Sequence, residues 1–454
     1  MNSGLPLAAH LRLFHSANGA HLFVVDGSRV YDVDDETATR IARALEASEP
    51  GAARDVMERL GLDGSGAGRW IDGRAVAPPA LRSISLNVAQ SCNMGCHYCY
   101  ADAGRFGGKP RMMSAGVAEA AVDALVRESD PGAAVVVGFM GGEPLLNRAV
   151  VHHATRYAAR AAIAAGRRVG FSITTNGTLL TSADAALFAE FPFSVQVSVD
   201  GPREQNDAAR PLNDGGSSYD RLCAGLRFLT AGRRPRLLAA RVTVTPRTGD
   251  LLESLDHLLS LGFDEVGFAP VLVSPSPAHA FNAEHYGAFL TQMVSCGEAA
   301  LARMKEGVRA GFSNLETALR EIHRGTHRPY PCGAGAAYLS ANADGRLFAC
   351  HRLVDDARYA MGDVQRGSDV EARAAHLERS HVDRMQPCAG CWARYLCGGG
   401  CYHEVSRRGR LGCDYIRGWL DFCLRAYAEL SAARPEYFTS PDDGAREGIA
   451  ASAA

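Results

Sequence analysis

The chemistry in this sequence is concentrated in its 13 cysteines, and their spacing divides them into groups. Cys92, Cys96 and Cys99 fall in SCNMGCHYCY as a C-x3-C-x2-C array. Three thiolates on one tight loop can hold three irons of a 4Fe–4S cube. The fourth iron is then free to take a small molecule. The competing chemistry is a zinc knuckle, which wants a fourth ligand from His97 or a distant residue. Eight more cysteines follow residue 330. Cys388, Cys391, Cys397 and Cys401 form C-x2-C-x5-C-x3-C in CAGCWARYLCGGGC. Cys332 precedes them, as does Cys350 at the end of a G-x4-C element; Cys413 and Cys423 follow. Such CxxC pairs also suit structural zinc. Cys223 and Cys296 stand alone in helical patterns and read as buried core. The N-terminus lacks a basic start followed by a clean apolar stretch, so the expected compartment is the reducing cytoplasm. There thiols serve metals or catalysis rather than a disulfide framework.

The elements that must position these thiols follow a simple order. With 454 residues, 47% hydrophobic and 22% charged, the chain is long enough for more than one domain with a large core. A net charge of -2 predicts neither a nucleic-acid nor an anionic-membrane partner. No apolar run reaches the roughly 20 residues of a membrane span. Residues 1–75 read as a small ββα unit. HLFVVDGSRVYDVD gives two short strands turning at Asp26-Gly27, DDETATRIARALE gives a helix, and GAARDVMERLG gives a second one. GLDGSGAG and then GRAVAPPA read as a linker. Residues 80–310 alternate. Strand-like runs at 81–89, 133–140, 168–175, 193–200, 237–245 and 264–271 are separated by helical patterns. Six βα repeats predict a parallel sheet, as a partial barrel or a doubly wound sheet, with chemistry at the carboxyl ends of the strands. Residues 331–430 read as a metal-stapled module ending in the amphipathic YIRGWLDFCLRAYAEL, and residues 440–454 as a disordered tail.

A cysteine array placed directly after the first strand of a six-unit βα pattern resembles the radical S-adenosylmethionine (SAM) enzymes. That context decides against zinc. The resemblance implies an α/β fold, a partial (β/α)6 TIM-type barrel, with Cys92, Cys96 and Cys99 holding a SAM-binding 4Fe–4S cluster and Tyr98 packing beside the ligand. FMGGEP supplies Gly141, Gly142, Glu143 and Pro144, similar to the family's GGEP segment that contacts the amino group of SAM. TTNGT places Thr174 and Asn176 after the third strand as further candidate cofactor contacts. Ser198 in SVDG resembles the residue that hydrogen-bonds the ribose or carboxylate of SAM. Arg210 matches an arginine that can take the carboxylate. A flavodoxin- or ferredoxin-type reductant is the implied electron donor.

Residues 332–425 resemble the SPASM extension of such enzymes, which carries two auxiliary 4Fe–4S clusters and brings the implied total to three. By position, Cys388, Cys391, Cys397 and Cys413 complete one auxiliary cluster; Cys423 could replace Cys413 but reads more simply as core. Cys332, Cys350 and Cys401 hold the other. No cysteine lies between Cys332 and Cys350. That cluster therefore keeps an open iron able to bind a substrate thiolate, which makes its three ligands candidate catalytic residues. PCGAGAAYLSANADGRLFACHR and CWARYLCGGGCYHE look like thioether-forming maturases of ribosomal peptides, of the quinohemoprotein amine dehydrogenase-maturation and ranthipeptide types. The implied activity is sulfur-to-carbon cross-linking of a ribosomal precursor peptide or small protein through a 5′-deoxyadenosyl radical. Formylglycine formation, as in anaerobic sulfatase maturation, and carbon–carbon cross-linking or epimerisation are the alternatives. The sulfatase-maturation pattern has Asp directly after the G-x4-C cysteine; here that position is His351. The N-terminal unit resembles recognition domains that bind a precursor leader by strand addition. Arg352, Asp356 and Asp363 are unranked candidates for the substrate path.

Overall fold

The computed structural model describes residues 5–47, 58, 71 and 73–439. The GLDGSGAG part of the expected linker, the C-terminal tail and all but Glu58 of the expected second helix lie outside these residues.

The N-terminal unit is a three-stranded antiparallel sheet, β1 (Leu11–Ser16), β2 (Gly19–Val24) and β3 (Arg29–Val33), followed by α1 (Asp35–Ala47). The sequence predicted two strands. β1 escaped because its fully buried positions, Leu11 and Phe14, are three residues apart and break the period-two signal. The unit is fastened to the C-terminal end of the chain. Arg12 donates to Asp421 at 2.8 Å, and its guanidinium lies 5.4 Å from the centre of the Trp392 ring.

The central region is a run of βα units. Its elements are β4 (Ser83–Gln90), the short β5 (Arg111–Met112), α2 (Ala115–Glu128), β6 (Ala134–Gly141), α3 (Arg148–Ala164), β7 (Arg168–Thr175), α4 (Ser182–Glu190) and β8 (Phe193–Ser198). They continue with α5 (Arg203–Ala209), α6 (Ser218–Thr230), β9 (Leu237–Val244), α7 (Leu251–Ser260), β10 (Glu265–Pro270), α8 (Ala283–Lys305) and α9 (Ser313–His323). Strands β4, β6, β7, β8, β9 and β10 pair in parallel in that order. This is a partial TIM-type barrel. Strand parity sorts its residues. Gly138, Ser172, Gln196 and Arg241 face an interior cavity, while Phe139, Ile173, Val195 and Val242 are buried on the other face, under the helices.

The sheet continues beyond β4. β11 (Tyr338–Ala341) pairs with β4 in parallel, and β12 (Arg346–Phe348), β13 (Ala360–Asp363) and β14 (Gly367–Ser368) follow as an antiparallel meander. The cysteine-rich module is therefore joined to the barrel by a shared sheet. Its helices are α10 (Val370–Ser380), α11 (Arg394–Cys397), α12 (Tyr402–Arg408) and the long α13 (Cys413–Ala433), which packs on α8 and α9. Among the described residues no helix is long and apolar enough to cross a membrane.

Beneath the barrel helices, Phe193 stacks on Phe171 at 5.1 Å and packs against Phe188 at 4.6 Å. Phe193→Ala should cost about 3–5 kcal/mol, read as a lowered urea midpoint. An unchanged midpoint would contradict this packing.

Candidate active site

Cys92, Cys96 and Cys99 lie on the loop that leaves β4. The loop is pinned to the segment after α5: Gly95 N–H donates to the Pro211 carbonyl at 2.9 Å, His97 N–H to Ala209 at 3.2 Å, and Asn213 N–H to Asn93 at 3.1 Å. Between the second and third thiols, Tyr98 is buried. It donates to Asp200 Oδ2 at 2.5 Å and accepts from Arg210 Nη1 at 2.6 Å, and Arg210 stands 3.9 Å from Asp200. Arg210 thus spends part of its hydrogen-bonding capacity within the chain while still lining the cavity. Asn176 donates to Asn93 at 2.9 Å and stands 3.9 Å from Cys92 Sγ. Burial, then the Glu143 charge and the neighbouring thiols push Cys92 up to about 12. Burial also raises Cys96.

The GGEP segment divides into two roles. Gly141 and Gly142 line the cavity. Gly141 has φ +144°, and a Cβ there would collide with the Ala89 carbonyl. Neither Glu143 nor Pro144 lines the cavity. Glu143 is fully buried, and its carboxylate accepts from Leu145 N–H at 3.0 Å, Thr175 Oγ1 at 2.7 Å and Asn176 N–H at 2.7 Å. Its side chain ties the exits of β6 and β7 together, in place of the ammonium contact expected from the sequence. The reason is local: the acid sits beside buried donors of the strand exits that would otherwise be unpaired.

The cavity, of about 230 Å3, opens at the carboxyl ends of the barrel strands. Its lining includes all three thiols of the loop together with Tyr98, Thr174, Asn176, Ser198 and Arg210. Its far wall comes from Tyr338, His351 and Arg352 of the C-terminal module and Arg241 of β9. Tyr338 OH bonds to Ser85 Oγ at 2.7 Å and to His351 Nδ1 at 3.0 Å. The Arg352 guanidinium sits 4.6 Å from the Tyr100 ring centre. Of the substrate-path candidates only Arg352 lines the cavity. Asp356 pairs with Arg358, and Asp363 caps a turn by accepting from Gln365 and Arg366 N–H. Sequence reasoning also missed Tyr100, Asp200, Arg241 and Tyr338. Arg241 carried a signal, a charge in the middle of the apolar run LLAARVTVT.

The C-terminal thiols fall into two sets. Cys388, Cys391, Cys397 and Cys413 line one small cavity with Arg410 and Arg417. Cys332 and Cys350 belong with Cys401. Burial first, and then the neighbouring thiols, push Cys332 up to about 11 and Cys350 up to about 12. Cys296 and Cys423 are buried in core helices.

These groups suit iron–sulfur clusters. All thirteen cysteines are free thiols, and thiolates are the ligands such clusters take. Among the described residues no three His, Cys, Asp or Glu groups converge on the position of a single metal ion. A cube of iron and sulfide is a larger object, with its ligands spread around it.

Residues 86–259 match the model of the radical SAM superfamily. The chain carries a radical SAM domain. It is an enzyme, and the thiol loop and strand-end cavity described above lie largely within that domain. The serine-type anaerobic sulfatase-maturating enzyme of Klebsiella aerogenes is 25% identical over 371 residues, which cover 76% of this chain and 86% of the relative. Native anSMEcpe with bound AdoMet superposes with a TM-score of 0.66 at 19% identity, over 78% of this chain and 99% of that one. Streptococcus suis SuiB bound to precursor peptide SuiA gives a TM-score of 0.51 at 11% identity, over 88% of this chain and 96% of that one. At these identities the likeness is one of fold.

Tyr98→Phe removes the hydroxyl between two buried charged groups. It should cost about 1–3 kcal/mol in urea unfolding, because Arg210 and Asp200 each lose a partner. An unchanged midpoint would mean that the network does not hold the loop.

Proposed function

We propose that this radical SAM enzyme forms thioether cross-links in a ribosomally made peptide or small protein. The observation that carries the reading is the incomplete thiol set: Cys332, Cys350 and Cys401 stand together with no fourth cysteine, behind a cavity wall formed by His351 and Arg352. In this reading Cys92, Cys96 and Cys99 hold the SAM-binding cluster. Cys388, Cys391, Cys397 and Cys413 hold a complete auxiliary cluster of a SPASM-type module, and Cys332, Cys350 and Cys401 hold one with a corner left for substrate. SAM and the clusters, held by these residues, would supply radical hydrogen-abstraction chemistry and an iron site suited to soft thiolate.

The chain's own residues do the positioning. The Gly141–Gly142 backbone, Thr174, Asn176, Ser198 and Arg210 offer close approach and hydrogen bonds to SAM around the first thiol loop. The N-terminal sheet supplies a docking edge. β3 pairs only with β2 among the described strands, so its other edge can accept a leader peptide by strand addition.

A second reading, oxidation of Ser or Cys to formylglycine, is favoured by the similarity to the Klebsiella enzyme over most of its length. Against it stands His351, an imidazole held by Tyr338 where that pattern has a carboxylate. Burial, then the charge of Arg352, lowers His351 to about 3.

Co-expression with a small cysteine-containing open reading frame beside the gene, followed by mass spectrometry, separates the readings. Thioethers appear as loss of two hydrogens per cross-link with thiols that no longer alkylate. The same loss with free thiols means carbon–carbon bonds, and a product captured by a hydrazide means formylglycine. Cys332→Ala should abolish cross-linking while SAM cleavage stays measurable; unchanged cross-linking would reject the role given to the three-thiol set.

A further inference from the structure

The cavity between the two thiol groups is unbalanced in charge. Arg210, Arg241 and Arg352 line it, and no aspartate or glutamate does. Arg210 is answered by Asp200 at 3.9 Å and by Tyr98. Arg241 and Arg352 form no ion pair with a carboxylate among the described residues. Arg352 packs over Tyr100, and Arg241 projects from the inner face of β9. Both guanidinium groups line the same cavity, one from the barrel and one from the module.

Two unanswered guanidinium groups in one half-buried wall are costly unless an anion joins them. A cluster held at Cys350 would answer Arg352, two residues further along, only in part. It does not account for Arg241, which belongs to the barrel. The carboxylate of SAM has Arg210 beside the first thiol loop. What remains is an anion brought by the substrate. Guanidinium groups match carboxylates in planar, bidentate pairs, which fix orientation as well as affinity.

We propose that Arg241 and Arg352 form a carboxylate-binding subsite for the peptide substrate. The carboxylate is either an acidic side chain near the modified residue or the free terminus of the peptide. This inference rests on the peptide-substrate reading above and narrows it to an acidic sequence context.

The test uses the full-length holoenzyme with SAM and three labelled synthetic peptides. One has an aspartate beside its cysteine and both ends blocked. The second is its blocked asparagine twin, and the third is that twin with a free carboxyl terminus. Fluorescence anisotropy should show one carboxylate-bearing peptide binding about tenfold or more tightly than the blocked twin. Preference for the aspartate peptide assigns the side chain, and preference for the free acid assigns the terminus. Arg241→Gln and Arg352→Gln should each erase the preference, and Arg241→Lys should keep part of it; the lysine variant guards against a mere folding defect. Equal binding of all three peptides overturns the subsite and leaves the peptide reading standing. So does a preference that survives both glutamine variants. A tenfold loss of SAM affinity in those variants would assign the pair to SAM and overturn the proposal. If no peptide binds, the peptide reading falls and this inference with it.

Discussion

The arrangement depends on one strand. β4 is buried along its whole length and is hydrogen-bonded on both edges, to β6 of the barrel and to β11 of the cysteine-rich module. Its polar side chains reinforce the second join. Ser85 bonds to Tyr338 OH at 2.7 Å and to Ser340 at 2.8 Å, and Asn87 donates to Ser340 at 2.8 Å. At its end Gln90 donates to Asp355 at 2.8 Å and accepts from Ala343 N–H at 3.1 Å. Two residues later comes Cys92. The loop that holds the first thiols is therefore fixed, by strand register, to the module that holds the others. In a parallel pairing a slip of one residue would turn Ser85 and Asn87 to the wrong face. It would also misplace the thiol sets relative to each other.

This geometry gives the cavity two different ends. Near the barrel, glycine backbone, hydroxyls and amides gather around Cys92, Cys96 and Cys99. Near the module, Tyr338, His351 and Arg352 stand in front of Cys350. Tyr100 crosses between them, one residue after Cys99, with its ring against Arg352 and 5.4 Å from the His403 ring. A molecule held at one end reacts with whatever the other end presents. The fold sets that encounter, because both walls hang from strands of one sheet, β4 and β11–β12.

Much of this was legible in the sequence, for physical reasons. The six barrel strands and their helices declare themselves because each strand must be apolar on its outer face and each helix on its inner one. The thiol spacings were equally plain. What the sequence hid was contact made at a distance. Glu143 reads as a ligand for an ammonium, but its surroundings depend on how β6 and β7 end, and it serves their backbone. Asp200 lies inside a recognised motif, yet its partnership with Tyr98 spans 102 residues. Tyr338 gains its partners only because β11 joins β4, a pairing that spans 253 residues from Ser85 to Tyr338. β1 was lost because its buried positions do not alternate.

The central claim is that the Cys92, Cys96 and Cys99 loop carries a cluster to which SAM binds directly. Electron paramagnetic resonance of the anaerobically reduced protein tests it, recorded with and without SAM. The account predicts a 4Fe–4S signal that changes shape when SAM is added, and loss of that SAM-sensitive component in Cys96→Ala. A spectrum indifferent to SAM, or zinc in place of iron at these thiols, would contradict it.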